Sequence, residues 1–154
     1  MRLVLLSVLA FCASTAQAET LHLICVGDGA ANKATQQNGY FHDSDGYSAR
    51  AEVTGQRSQA FSDQADIEIE GSTGRIRMPR VMLPPIHGGK DGWMDIEKLS
   101  ISDREITGSV GVNFMNSPKL RIDRITSMVS MAGKAGNFAG RCSAYDPDKA
   151  QRAF

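Results

Sequence analysis

The stretch Asp66-Ile67-Glu68-Ile69-Glu70-Gly71-Ser72-Thr73-Gly74-Arg75-Ile76-Arg77-Met78-Pro79 decides the fold class. Apolar and charged residues alternate on both sides of a glycine-flanked turn, which is the period-2 signature of half-buried strands. Centring a two-residue turn on Ser72-Thr73 pairs Glu70 with Arg75, Ile69 with Ile76, Glu68 with Arg77 and Ile67 with Met78. Acid meets base or apolar meets apolar at every rung, and such cross-strand pairs are worth roughly 0.2–1 kcal/mol each. A slip of one residue would turn the charges toward the core. Pro79 has no N–H to donate, so it ends or edges the second strand.

The same pattern continues toward the C-terminus. A turn at Ser102-Asp103-Arg104-Glu105 joins a strand from about Trp93 to one reaching Phe114 and sets Ile101 opposite Ile106. Arg124-Ile125-Thr126-Ser127 sets Ile122 opposite Val129 and Leu120 opposite Met131. Gly133-Lys134-Ala135-Gly136 sets Met131 opposite Phe138 and Val129 opposite Gly140. Toward the N-terminus, Thr20 to Gly27 reads as the first strand and Tyr47 to Gly55 as the second. The polar stretch Asp28 to Gly46 reads as a long loop, with a helical turn near Ala30 to Gln36. Short strands, tight turns and little helix predict an all-β fold, a small antiparallel barrel or sandwich of about eight strands.

Met1 and Arg2 precede an apolar run from Leu3 to Ala13, and Ala16-Gln17-Ala18 offers a small-x-small cleavage site. This order predicts a secretory signal peptide over residues 1–18, cleaved to leave a single β-domain over 19–154. The run is too short to span a bilayer, and no later segment is apolar enough to anchor the mature chain. Of the three cysteines, Cys12 leaves with the leader. Cys25 and Cys142 then have one possible intramolecular pairing, and export makes it a disulfide linking the first and last strands. Periplasmic or secreted localisation follows. With 17 basic and 17 acidic side chains, the chain carries no electrostatic footprint for nucleic acid.

The C-terminal half carries a resemblance. Asn113-x-x-Asn116-x-Pro118-Lys119-Leu120-Arg121-Ile122-Asp123-Arg124 and Gly136-Asn137-Phe138-Ala139-Gly140-Arg141-Cys142 resemble small exported proteobacterial β-proteins. The terminal F-x-G-x-C with an early Cys is similar, more loosely, to periplasmic lysozyme-inhibitor-type barrels. The resemblance implies a periplasmic β-domain and transfers no catalytic residue.

The most unusual segment is Val81 to Trp93, VMLPPIHGGKDGW. Pro84-Pro85 lacks donors and Gly88-Gly89 invites positive φ, so it must be a long connection. Long connections often carry function. His87, Lys90, Asp91 and Trp93 are therefore the candidate binding residues, and Met82, Leu83, Ile86 and Trp93 the candidate anchors. His87-Gly88-Gly89 is not an oxyanion loop, because no G-x-S-x-G elbow accompanies it. Asp43-Ser44-Asp45-Gly46 lacks the further oxygen ligands of a calcium loop. Asp66, Glu68 and Glu70, faced by arginines, form a surface ladder. The methionines are adaptable core filler. No cofactor or metal is implied. The leading expectation is a non-catalytic binding module for a small apolar ligand in a barrel mouth or an envelope protein at the loop face. The alternatives are an envelope enzyme using His87 and Asp91, or a structural envelope protein.

Overall fold

The structure is a computed structural model that describes residues 20–42 and 44–147. The leader, its cleavage site, Cys12 and Asp43 lie outside the described residues. The chain forms a closed antiparallel barrel of eight strands in sequence order. The strands are β1 (Leu21–His42), β2 (Ser48–Glu70), β3 (Thr73–Arg77), β4 (Trp93–Ile101), β5 (Glu105–Val110), β6 (Lys119–Asp123), β7 (Met128–Gly133) and β8 (Gly136–Tyr145). A 3-10 turn at Arg80–Met82 is the only helical element among the described residues.

Closure occurs where β1 meets β8, with His22 opposite Tyr145 at one end and Ala31 opposite Gly136 at the other. Cys25 and Cys142 are direct partners in this ladder and are joined by a disulfide. Two rungs further along, Gly27 faces Gly140. A Cβ on Gly27 would lie 2.1 Å from the Ala139 carbonyl oxygen, so glycine is required where the strands approach this closely.

The alternation read from the sequence becomes an inner and an outer face. Ile67, Ile76, Ile106, Leu120, Val129, Met131 and Phe138 are buried inside. Phe61 packs against this core, its ring stacked on Phe138 at a centroid distance of 6.3 Å. The expected rungs Ile101–Ile106, Leu120–Met131, Ile122–Val129 and Met131–Phe138 are all present. The strand expected to reach Phe114 instead ends at Val110.

The Asp66–Met78 hairpin keeps its faces but not its rungs. Glu68 pairs with Arg75, Ile67 with Ile76, Asp66 with Arg77 and Glu70 with Thr73, so the turn is Gly71-Ser72. The reason is backbone conformation. A two-residue hairpin turn needs positive φ at its first central residue, and Gly71 supplies it at 57° where Ser72 would be strained. Every partner moves by two residues, which leaves Ile67, Ile69 and Ile76 all buried. The surface ladder is present on these shifted rungs, with Arg75 bonded to Glu68 and Arg77 lying 3.9 Å from Asp66.

The largest correction concerns Asp28 to Gly46. From Asp28 to His42 it is strand, with no helical turn near Ala30 to Gln36, and Ser44 and Asp45 lie in a turn. β1 continues for 22 residues to His42, and β2 starts at Ser48 and runs for 23. The two form one ladder from Leu21–Ile69 to His42–Ser48. Beyond Ala31 this hairpin leaves the barrel as a two-stranded arm.

Candidate functional site

The two ends of the barrel differ. At one end lie the tight connections β2–β3, β4–β5 and β6–β7. At the other lie the arm, the β3–β4 connection, the β5–β6 connection and the β7–β8 turn.

The β3–β4 connection divides into an anchored half and an exposed half. Met78, Pro79 and Met82 are buried, and Val81 and Leu83 pack against the core. Lys33 at the root of the arm donates from Nζ to the Val81 carbonyl at 2.6 Å. Met82 and Leu83 thus anchor the segment as expected. Ile86 does not, because its side chain is 83% exposed. From Pro85 to Asp91 every residue is exposed. The segment then returns through a two-residue hairpin turn, with Lys90 and Trp93 exchanging backbone hydrogen bonds of 2.9 and 3.2 Å. Asp91 and Gly92 both take positive φ, 54° and 83°, the type I′ pattern that Asp-Gly favours.

The predicted site residues separate. Lys90, Asp91 and Trp93 line one polar groove of about 330 Å³ on the outer wall, together with Arg75, Asp95 and Gly89. Trp93 is half-buried there, with the Arg75 guanidinium 4.8 Å from its ring centroid. Trp93 thus packs on the outer wall and does not anchor the segment in the core. His87 is not part of this groove. Its Nδ1 lies 2.8 Å from the Gly88 carbonyl oxygen. His87 does not line the groove that Asp91 lines.

The β5–β6 connection adds residues that the sequence reading passed over. Asn113 and Asn116 exchange backbone hydrogen bonds of 3.2 Å across a tight turn, and Asn113 Oδ1 accepts from the Met115 and Asn116 amides at 3.0 and 2.9 Å. Between them Phe114 is 94% exposed and Met115 60%. The Gly88 amide donates to the Val112 carbonyl at 2.8 Å, and Asn113 Nδ2 donates to the Ile86 carbonyl at 3.0 Å. These bonds hold Ile86 beside the Phe114-Met115 turn. The sequence signal was available. A pair of large apolar residues between two asparagines sits where turn chemistry would hold it in water.

Among the described residues the interior is occupied by side chains. It is filled by the buried series named above, with Met82, Met94 and Val112 at the loop-bearing end. At the opposite end a dent of about 170 Å³ is lined by Leu21, Leu23, Ile106 and Ile122, with Asp123 and Arg124 at its margin. Ligand pockets typically start at about 300 Å³. No helix among the described residues is long and apolar enough to cross a membrane. The disulfide is compatible with an oxidising, exported compartment. Compared with protein-family models, curated proteins and solved structures, the chain matches none.

Proposed function

We propose that this protein is an exported, non-catalytic binding module of the cell envelope that engages a protein partner through its loop-bearing end. The observation that carries this reading is the cluster of Ile86, Phe114 and Met115, exposed on two hydrogen-bonded loops above a filled core. Single exposed apolar residues are ordinary. Three large ones on connections tied to each other resemble the aromatic and aliphatic anchors of a protein interface. The filled interior favours a protein over a small ligand carried inside. The groove at Lys90, Asp91 and Trp93 runs along the wall from the same end and supplies a charged rim of mixed sign. The predicted leader and the disulfide support a periplasmic location.

Site-specific photocrosslinking in intact cells tests this reading. A photoreactive residue at position 114 should yield a discrete protein adduct, and one at position 103 in the opposite β4–β5 turn should not. The adduct should disappear when Ile86 and Met115 are changed to serine. No adduct from position 114, or the same adduct from both positions, would overturn the assignment.

A further inference from the structure

Among the described residues the arm has no neighbouring strand. β1 pairs with β8 only from His22 to Ala31, and β2 pairs with β3 only from Asp66 to Glu70. Among the described residues, β1 from Asn32 to His42 has only β2 beside it, and β2 from Ser48 to Ala65 has only β1. At about 3.3 Å per residue the arm reaches roughly 35 Å past the last β8 rung. Its root is fixed, since the Asn32 amide donates to Ala135 O at 2.8 Å and Asn32 Nδ2 to Lys134 O at 3.0 Å.

Such an arm is physically incomplete. A lone two-stranded ribbon is marginal in water, and independent stability needs a third strand or a packed face. Its long edges present unpaired N–H and C=O groups, which another extended edge satisfies best. The side-chain contacts described within the arm are exposed. Arg50 lies over the Tyr40 ring at 5.8 Å, and Gln36 bonds to Glu52. Tyr40 and Tyr47 are 69% and 77% exposed near the tip.

We propose that the β2 edge of the arm pairs antiparallel with the same edge of a second copy of this chain, about a twofold axis at position 51. Charge selects this register. It sets Arg50 opposite the partner's Glu52 and Glu52 opposite the partner's Arg50, so both rungs are complementary. An axis at position 50 would set Arg50 against its own copy, and an axis at 52 would do the same for Glu52. Like charges directly opposite are destabilising. An axis at 53 leaves both charges facing neutral residues, Gln56 and Thr54. The β1 edge carries Lys33 as its one permanent charge between Asn32 and His42 and so has no such self-complement.

The geometry permits the pairing. Antiparallel arms place the two barrels at opposite ends. From position 51 to Ala60, where the barrel wall begins, β2 extends roughly 30 Å, which keeps the barrels apart. The product is a four-stranded sheet in the order β1, β2, β2, β1, and the interface is isologous as closed twofold assembly requires. This surface is separate from the Phe114 turn, so a dimer leaves that turn open to its own partner.

Sedimentation velocity on the full mature chain over a concentration series tests the pairing. A monomer–dimer equilibrium is expected. Arg50→Glu alone and Glu52→Arg alone should each weaken it about tenfold or more, since each converts two complementary rungs into like-charge rungs. The double swap Arg50→Glu/Glu52→Arg should restore it. Ala51→Cys gives an independent readout: mild oxidation should yield a symmetric disulfide-linked dimer while the Cys25–Cys142 bond stays intact. Should the charge reversals disturb folding, that crosslink decides alone. A chain that remains monomeric and does not crosslink through position 51 overturns the proposal. So does a dimer indifferent to the single reversals.

Discussion

Replacing Cys25 and Cys142 together with alanine removes the covalent tie across the seam that closes the barrel. The two are 117 residues apart in the chain. Chain-entropy arithmetic for a loop of that length gives about 5 kcal/mol at 25 °C, most of it from restricting the unfolded chain. Native disulfides in small exported domains commonly deliver about 2–5 kcal/mol. Total stability for such a domain is about 5–15 kcal/mol, so a bond worth about 5 kcal/mol would supply a third or more of it. The alanine pair also empties buried volume, because Cys25 and Cys142 are 0% and 7% exposed. The reduced wild-type protein separates these contributions, since it loses the tie and keeps both sulfurs. Urea unfolding should therefore be measured for oxidised wild type, reduced wild type and the alanine pair. With an m-value of about 1.5 kcal/mol/M, the reduced protein should unfold about 1–3 M earlier than the oxidised one. The alanine pair should unfold somewhat earlier still. Equal midpoints for oxidised and reduced wild type, at unchanged m, would refute the reasoning. They would mean that residual structure, not the bond, already restricts the unfolded ensemble.

Gly140→Val should cost more than about 2 kcal/mol in the same assay, because its Cβ would sit 2.3 Å from the Val26 carbonyl oxygen; an unchanged midpoint would show that the seam can open without loss. Backbone hydrogen bonds from Thr126 and Ile125 to the Asp123 carboxylate hold its pKa below the ordinary carboxylate value. Because the folded pKa is the lowered one, the contribution of this turn is complete above the unfolded value of about 3.9 and is lost as pH falls through the folded value. An NMR titration in which Asp123 titrates at or above the ordinary value would contradict this. His87→Ala with Lys90→Ala should shift stability by no more than about 0.5 kcal/mol, since both side chains are exposed; a larger loss of the unfolding midpoint would mark them as structural. N-terminal sequencing of the mature protein should begin at Glu19, and an intact Met1 would defeat the predicted export.

The amino-acid sequence by itself determined the inner face of the barrel and its disulfide. Leu120–Met131, Ile122–Val129 and Met131–Phe138 were legible because each strand there buries one side and wets the other, which writes burial as alternation. Cys25–Cys142 was legible because no other pairing remained once the leader was set aside. Three features were decided only in the tertiary structure. The Gly71-Ser72 turn depends on the sign of a backbone angle, and charge pairing alone is satisfied equally well two residues away. The β1 half of the arm was invisible, while the strand read over Tyr47 to Gly55 falls on β2, because the described side chains of the arm lie mostly toward water. A strand with no buried side has no reason to alternate, so Asn32 to His42 has the composition of a loop. The exposed cluster depends on the hydrogen bond from Asn113 to Ile86, between residues far apart in the chain. Alternation reports which side of a strand is dry. Which strands extend beyond the core, and which loops meet above it, is settled only when the barrel closes and the two connections are brought to the same end.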